Sequence, residues 1–280
     1  MPKVLTVEQI ERYRRDGYVS PIRLMAPDQA ASLTAQLEKL EAEVGGEAQH
    51  KLWTPYLVYQ WLYELVTHPR MLDAVEDVLG PNLLCWGGGF FEKNPGDKRF
   101  ISWHQDTFYY GLDPAETCTA WFAFTPSNLQ SGCVHVLPGS HRGNPNLEFV
   151  NEPNENNMLA RGQTIKGLDL SAARPVILDA GEFSLHHESI VHGSDANNSE
   201  WRRIGISIHY ISPDVRRVKY NAVSQPSALL VRGVDTFGHW QHEPAPVGSF
   251  DGAAAQRVIK AREEFFRRSK NGEIKEAEPS

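Results

Sequence analysis

The chain has 280 residues, of which 41% are hydrophobic, and its formal net charge is -7. This length and apolar fraction allow a full hydrophobic core in one or two domains, and we predict one, residues 1–280, because no linker-like segment divides the chain. Binding to nucleic acid relies on clustered Lys and Arg, so the negative charge argues against a nucleic-acid partner.

The cysteines and the start of the chain indicate the compartment. Cys85, Cys118 and Cys133 have no CxxC spacing and lie in apolar runs, which predicts buried free thiols. No signal-peptide pattern opens the sequence, and no apolar run is long enough to cross a bilayer. We therefore expect a soluble cytoplasmic protein without a membrane partner, and its oligomeric state stays open.

Helical patterns dominate the first eighty residues. Residues 6–9 fit a capping box, and Gly17 is placed to end the helix that they start. A second helix is predicted from Asp28 to Gly45, and a third begins at Pro69, where proline suits the first helical position. We expect residues 1–80 to form a helical flank.

After this flank the pattern changes to short β-branched or aromatic runs separated by Gly, Pro, Asn or Asp. The predicted strands are 82–93, 99–106, 117–125, 132–137, 175–179, 183–192 and 202–211. Many short strands without intervening helices are typical of a sandwich or barrel. We predict a mainly β fold whose core, residues 82–212, is a double-stranded β-helix of the cupin jelly-roll type.

Two further segments complete the organisation of the chain. The C-terminal extension, residues 213–280, contains a helical pattern from Ala253 to Arg268 and a charged tail after Lys270. Residues 143–166 are polar, broken by proline and long for a connection. This segment is either a functional flap or a disordered insert.

The tripeptide His104-Gln105-Asp106 is the first motif that carries chemistry. Residues two apart on an extended strand point to the same side, so His104 and Asp106 would present an imidazole and a carboxylate together. A second imidazole from His192 would complete the 2-His-1-carboxylate triad that holds Fe(II) in non-haem oxygenases.

Eleven residues after His192, Arg203 begins a strand-like run. By strand alternation, Arg203 shares a face with Gly205 and Ser207, whereas Arg202 points the other way, which predicts a surface or structural ion pair for Arg202. An arginine followed by small residues is typical of a cavity wall that binds an anion, because guanidinium binds carboxylates through two parallel hydrogen bonds.

Together these segments resemble the phytanoyl-CoA dioxygenase (PhyH) family of Fe(II)/2-oxoglutarate-dependent oxygenases over most of the chain. The matching pieces are Gly80-Pro81-Asn82, Phe90 to Asp97, Trp103 to Asp106, Ala120-Trp121, Gly132 to His141, and His192-Gly193-Ser194 with Arg203. Each piece is common by itself, but their order along the chain is specific.

The resemblance implies a role for each matched residue. His104, Asp106 and His192 would be the iron ligands, and Arg203 would bind the distal carboxylate of 2-oxoglutarate. Further implied contacts are Ser194 and Trp121 to the co-substrate. We also predict Phe91 and Tyr109 as contacts to the substrate. The implied cofactors are Fe(II), 2-oxoglutarate as co-substrate, and O2.

The implied reaction is hydroxylation of an unactivated C-H bond of a small molecule, with release of succinate and CO2. Related carrier-dependent halogenases have a small residue at the position of Asp106, so the carboxylate here argues against halogenation. Desaturation or ring formation, a non-catalytic β-barrel sensor and a hydrolase built on Ser194 are the alternatives, although no G-x-S-x-G elbow supports the last.

Other residues near these motifs receive ordinary interpretations from the sequence. His186 and His209 flank the proposed site, and His186 shares parity with His192, which makes it a candidate to support the metal ligands. The basic residues Lys93, Arg99, Arg142 and Arg161 are interpreted as solvated surface charges, with contact to an anionic substrate as the alternative. The substrate itself cannot be read from the sequence.

Overall fold

The computed structural model describes residues 2–52, 54–143, 147–159, 162–218 and 226–270. Its α-helices are α1 Val7–Asp16, α2 Pro27–Val44, α3 Ala48–Lys51, α4 Gln60–Val66, α5 Pro69–Leu79, α6 Thr107–Tyr110 and α7 Gly252–Lys270. Its strands are β1 Tyr18–Arg23, β2 Leu83–Lys93, β3 Ile101–His104, β4 Leu112–Asp113, β5 Cys118–Ala123, β6 Val134–Val136, β7 Val150–Asn151, β8 Gln163–Thr164, β9 Arg174–Pro175, β10 Glu182–His187, β11 His192–Ser194, β12 Arg203–Ile211, β13 Arg216–Arg217, β14 Ser227–Arg232 and β15 Gln241–His242.

Two sheets form the centre of the molecule. The large sheet has seven strands in the order β1-β10-β5-β12-β2-β14-β15, and the small sheet has four in the order β3-β11-β6-β9. All pairs in these sheets are antiparallel except β14 with β15. A strand-rich core with helices outside it agrees with the fold predicted from the sequence.

Alternation along β12 gives the large sheet two different faces. Ile204, Ile206 and Ile208 are buried in the main hydrophobic core together with helical residues such as Leu37 and Leu62. The other face of β12 turns toward the small sheet and lines a cavity. The helices therefore cover the outer face of the large sheet and leave its inner face for function.

The predicted ends of the helices α1 and α2 and the predicted start of α5 are confirmed. Thr6 and Gln9 form a reciprocal capping box at the start of α1, and Gly17 follows the helix with φ +82°. Gly45 ends α2 in the same left-handed conformation, and Pro69 stands at the first position of α5. The predicted C-terminal helix is present as α7, whereas residues 271–280 of the charged tail lie outside the described residues.

Two strand predictions were wrong. The segment 183–192 is not one strand, because the chain turns at residues 188–191, where the Ile190 amide bonds to the His187 carbonyl. This turn lets β10 stay in the large sheet while β11 enters the small one. In the segment 175–179, only Pro175 belongs to a strand.

The sequence did not reveal two strands of the large sheet. β1 pairs with β10, and β14 pairs with β2, so the predicted helical flank and the C-terminal extension each add a strand to this sheet. Both partners are more than a hundred residues away along the chain, and such pairing leaves no local signal beyond a short apolar run.

Arg202 connects α2 to the large sheet, as its predicted structural role requires. Its guanidinium donates to both oxygens of Glu41 at 2.6 and 2.7 Å and also bonds Glu92. Glu92 is fully buried, and the Arg202 side chain is 22% exposed. Burial is the main cause that raises the pKa of Glu92 to about 7. The arginine therefore compensates carboxylates that the fold removes from water.

Replacing Arg202 with Leu should lower the free energy of unfolding by about 3 kcal/mol, since it leaves two neighbouring carboxylates without their cation. Urea denaturation with an unchanged slope measures this loss. Arg216→Leu is the matched control, because the pair of Arg216 with Asp113 is exposed and should contribute less than about 1 kcal/mol. Equal losses in the two variants would contradict a special role for Arg202.

Candidate active site

Two histidines and one aspartate converge where β3 and β11 pair. His192 lies opposite His104 in this antiparallel pair, and Asp106 follows two residues after His104. The Nε2 atom of His104 is 3.3 Å from Asp106 Oδ1, and the Nε2 atom of His192 is 4.0 Å from Asp106 Oδ2. One potential ligand atom from each residue lies within 4.8 Å of the others, which fits a single metal ion.

Asp106 reaches this cluster by a different route from the one predicted. Strand β3 ends at His104, and Asp106 has helical dihedral angles, φ -74° and ψ -24°, at the start of α6. The Gln105 side chain donates to the Ser189 carbonyl at 2.7 Å, and the Asp106 amide donates to the Glu188 carbonyl at 3.0 Å. Contacts to the turn after β10, rather than strand alternation, bring the carboxylate beside the imidazole.

Backbone carbonyls orient both imidazoles. His104 Nδ1 is 2.9 Å from the Ser102 carbonyl, and His192 Nδ1 is 3.0 Å from the Ile190 carbonyl. A carbonyl only accepts, so the proton of each neutral ring is on Nδ1 and the Nε2 lone pair is free. This is the usual support for metal-binding histidines, since it sets both tautomer and ring direction.

The electrostatics of the cluster favour the protonation states that a metal ion needs. Burial raises the pKa of Asp106, but His192 and His104 outweigh it and hold this pKa well below its usual range. Burial and the neighbouring His104 lower the pKa of His192 to about 4. At neutral pH the aspartate is therefore anionic and His192 is neutral, as required for coordination.

A hydroxyl group holds the carboxylate from the other side. Tyr110, one helical turn after Asp106, donates from its hydroxyl to Asp106 Oδ2 at 2.9 Å. The Tyr110 hydroxyl is also 3.2 Å from His209 Nε2, and His209 Nδ1 is 3.0 Å from Thr119 Oγ1. Because Tyr110 gives its one proton to the carboxylate, it accepts from His209, and Thr119 can donate to the other ring nitrogen.

Next to the cluster is a cavity of about 100 Å³ between the two sheets. Arg203 lines it, is 1% exposed, and has two guanidinium nitrogens, Nε and Nη2, without a hydrogen-bond partner among the described residues. Burial lowers the pKa of Arg203 to about 10, so the group stays charged at neutral pH. A buried cation with unpaired donors fits a carboxylate group of a ligand.

Trp121 places an indole ring beside this guanidinium. The Arg203 Cζ atom is 5.4 Å from the centre of the ring, within the range of a cation-π contact. The ring lies on Gly205, where a Cβ atom would be 2.1 Å from Cζ2 of Trp121. Glycine at 205 is therefore required for Trp121 to reach Arg203.

Lys93 is a functional candidate that was wrongly interpreted from the sequence as a surface charge. It is fully buried, and its Nζ donates to Ser194 Oγ at 2.7 Å and to the Asp195 carbonyl. Burial and the nearby Arg203 lower its pKa to about 6. Since Ser194 Oγ accepts from Lys93, its own proton is free for an acceptor in the cavity. Alternation with Phe91 on β2 was the signal that could have revealed this position.

The structure brings together almost every candidate from the sequence. The residues that share the cavity are His104, Asp106, His192, Arg203, Ser194, Trp121 and Phe91. The side chain of Tyr109 and the whole of Arg161 lie outside the described residues. The lining residues that the sequence placed near the site without a definite role are His186, Gly193, Ser207 and His209, and those that it did not name are Ile101, Tyr110, Thr119, Val134 and Leu159. Thr119 is two residues before Trp121 on β5, so strand alternation would have indicated it.

Part of the segment 143–166 forms one wall of the cavity. Leu159 lines it, the Met158 amide donates to the Phe100 carbonyl at 2.9 Å, and the Asn157 side chain donates to Ser102 Oγ at 2.9 Å. The described part of this segment thus packs along β3, and its strand β7 pairs with β8. This position agrees with a flap, although whether the segment moves remains a prediction.

Comparison with known proteins gives relatives that cover different shares of the chain. A probable phytanoyl-CoA dioxygenase of Caenorhabditis elegans is 32% identical over 169 residues, which are 56% of this chain and 52% of the relative. The peroxisomal phytanoyl-CoA dioxygenase of Mus musculus is 25% identical over 248 residues, which are 79% and 73% of the two chains. The match thus spans about half of the first relative and nearly three quarters of the second.

A solved structure resembles nearly the whole chain. The non-heme monooxygenase ThoJ, in its apo form, has a TM-score of 0.79 and 31% identity, covering 94% of this chain and 99% of its own. The same protein is also known as a nickel complex, with a TM-score of 0.76.

Fold, ligand cluster and relatives define the class of the protein, a 2-oxoglutarate-dependent non-haem iron oxygenase, whose cofactors are Fe(II) and 2-oxoglutarate. The family model described as phytanoyl-CoA dioxygenase (PhyH) matches residues 13–205, more than half of the sequence. The chain belongs to the PhyH family. Among the described residues, no helix is both long and apolar enough to cross a membrane.

Gly205→Ala should lower the free energy of unfolding by about 1 to 3 kcal/mol, because the new methyl group overlaps the ring of Trp121. Chemical denaturation measures the effect. The control is Gly89→Ala on the neighbouring strand, where a Cβ atom would meet nothing within 4 Å and the change should stay within about 0.5 kcal/mol. If both variants were equally stable, Trp121 would have room to move aside.

The cavity wall formed by Leu159 predicts closure of its segment over bound substrate. Hydrogen exchange of residues 147–159 in the Ni(II) and 2-oxoglutarate form should slow when a substrate is added, since contacts to the ligand offset the entropy of ordering a polar segment. Peptides from α1, on the far side of the large sheet, are the internal control. Equal exchange of 147–159 with and without substrate would remove the flap from the mechanism.

Proposed function

We propose that the protein is an Fe(II)/2-oxoglutarate-dependent hydroxylase that acts on an unactivated C-H bond of a small molecule. In this proposal His104, Asp106 and His192 hold the iron, and Arg203, Ser194 and Trp121 bind the co-substrate. Bound iron, with 2-oxoglutarate and O2, supplies the oxidation, and succinate and CO2 are the co-products.

The observation that carries the proposal is one cavity with two complementary ends. Three ligand-type side chains converge at one place in it, and the unpaired donors of Arg203 face the same space. A five-carbon dicarboxylate needs a metal for its keto-acid end and a cation for its distal carboxylate. Iron binding alone would explain the triad but not the buried arginine.

The chain's own residues have defined tasks in this reaction. The fork of Arg203 would accept the distal carboxylate in two hydrogen bonds, and the Ser194 hydroxyl, held by Lys93, would add a third donor. Tyr110 keeps Asp106 in place through its hydroxyl. The apolar side chains of Phe91, Ile101 and Leu159 line the cavity and would limit water around the reacting carbon.

We also infer that the two facing sheets form the double-stranded β-helix predicted from the sequence. The order of their strands supports this inference, since β10 and β11, adjacent along the chain, lie in different sheets. The metal triad then comes from the small sheet and its following turn, while the co-substrate contacts Arg203 and Trp121 come from the large sheet.

The carboxylate of Asp106 favours hydroxylation over halogenation, because an anionic side chain fills the place that a halide would need. Desaturation and ring formation use the same residues, so product analysis must separate them from hydroxylation. A non-catalytic sensor would bind 2-oxoglutarate without forming succinate.

Asp106→Ala should abolish succinate formation and weaken Fe(II) binding, because it removes the anionic ligand. Anaerobic iron titration and product analysis test both effects. Asp179→Ala removes an exposed carboxylate and serves as the control. Wild-type turnover in the Asp106 variant would overturn the assignment of the triad.

Arg203→Lys should raise the 2-oxoglutarate concentration needed for half-maximal binding about tenfold to a hundredfold, because the charge remains but one of two charged hydrogen bonds is lost. Titration of the Ni(II) form with 2-oxoglutarate gives the affinity. Arg216→Lys, at an exposed ion pair, is the matched control. An unchanged titration would mean that another cation holds the co-substrate.

A further inference from the structure

A polar band crosses the inner face of the large sheet beyond the metal-ligand cluster. His186 on β10 lies opposite Thr119 on β5, and Thr119 lies opposite His209 on β12. All three line the cavity. The band is continuous across three neighbouring strands. His209 is linked through Tyr110 to Asp106, whereas the proposed binding of iron and 2-oxoglutarate gives His186 no task.

The members of this band differ in their hydrogen bonds. Thr119 and Tyr110 occupy the two ring nitrogens of His209. His186 is only 4% exposed, yet no described residue forms a hydrogen bond with its imidazole, which packs 5.4 Å from the ring of His192. The ring nitrogens of His186 are not closed off like Nε and Nη2 of Arg203, so they are reachable from the cavity and available to a ligand there.

The band is too far from Arg203 to serve the distal end of the co-substrate. Six residues separate Arg203 from His209 on β12, about 20 Å along an extended strand. An extended arginine side chain and a five-carbon dicarboxylate, each about as long as two strand residues, cover about two thirds of this distance. Placed end to end along β12, the arginine side chain and the dicarboxylate therefore stop short of the band, which leaves it to the substrate.

Space for that substrate is built into strand β2. Gly89 lies opposite Ser207 and between Gly87 and Phe91 on the inward face, and a Cβ atom at Gly89 would meet nothing within 4 Å. The wall beside the polar band thus carries no side chain. In this sheet β5 and β12 lie between β2 and β10, a separation of about 14 Å, so only a ligand of about that length can lie over Gly89 and also reach His186.

The charges of the cavity limit what this ligand can be. Of the described residues that line the cavity, Asp106 and Arg203 carry a fixed charge. The proposed function assigns Asp106 to iron and Arg203 to 2-oxoglutarate. Ile101, Val134 and Leu159 add an apolar wall. A charged group on the substrate would find no free counter-ion, whereas a neutral oxygen can bond an imidazole, which has both a donor and an acceptor.

We propose that His186 anchors the substrate through a neutral hydroxyl or carbonyl group, and that the substrate part inside the cavity is otherwise apolar and lies over Gly89. This inference rests on the proposed function, because it takes the metal and co-substrate positions from it. It narrows the substrate class to uncharged alcohols, ketones, esters or amides at the end that enters the cavity.

The test uses the protein loaded with Mn(II) and 2-oxoglutarate and four probes that share a cyclohexane ring: cyclohexanol, cyclohexanone, cyclohexanecarboxylate and cyclohexylammonium. Paramagnetic relaxation of the ring protons by Mn(II) reports only a probe bound near the metal. We expect relaxation of the alcohol and the ketone, competitive between the two, and none of the charged probes beyond a sample loaded with Zn(II).

His186→Leu should reduce this relaxation about threefold to tenfold, the loss expected for one hydrogen bond, while 2-oxoglutarate affinity stays unchanged. His186→Gln retains a donor and an acceptor and should restore most of the effect. His141→Leu, which removes a histidine outside the cavity lining, is the control.

Each contrary result has a distinct meaning. Equal relaxation in wild type and His186→Leu, preference for a charged probe, or no binding of any neutral probe to the loaded protein would overturn the proposal. Weaker 2-oxoglutarate binding in His186→Leu would assign the residue to the co-substrate instead and would also overturn it. Failure of the wild-type protein to bind Mn(II) and 2-oxoglutarate would contradict the proposed function itself.

Discussion

The pairing of β3 with β11 is the constraint on which the site depends. It places His192 opposite His104, and β11 is in turn fixed between β3 and β6. A slip of one residue would turn His192 to the opposite face of the small sheet, because side chains alternate along a strand. Gly193 keeps this pair close, since a Cβ atom there would be 2.9 Å from the Ile101 carbonyl.

The large sheet divides the cavity into regions of different chemistry along its strands. Around Arg203 the wall is cationic and contains unpaired donors, which suits a dianionic co-substrate. Farther along β12 the wall changes to Ser207 and His209, without a fixed charge. One continuous sheet can thus bind an anion and a neutral molecule side by side, because inward positions on a strand are about 6.7 Å apart and vary independently.

The features that the sequence predicted well depend on short-range periodicity or on a local motif. Alternation on β12 correctly separated Arg203 from Arg202, and the cap residues of α1 fixed both of its ends. The sequence predicted that His104 and His192 meet because they match the motif of a metal site, and not because any spacing showed that they are close. These signals are local, so they survive without knowledge of the tertiary structure.

What the sequence did not reveal depends on contacts between distant segments. The turn that carries Asp106 is held by residues 188 and 189, and strand β1 is defined by its pairing with β10. Lys93 was misread because lysine is rarely buried, and only its place next to Ser194 shows why it is here. Functional sites are where such exceptions to local rules are expected.

The burial of Lys93 links the protein's stability to proton concentration. Its pKa is about 6 in the folded chain and near the ordinary value of 10.5 when unfolded. Between these two values the unfolded chain binds a proton that the folded chain does not, so this residue makes stability rise with pH across that window, and below about pH 6 its burial is most unfavourable. A bound dianion next to Arg203 would favour protonated Lys93 and oppose this loss. The burial of Lys93 thus lowers the folding stability at the place where a bound anion would raise it.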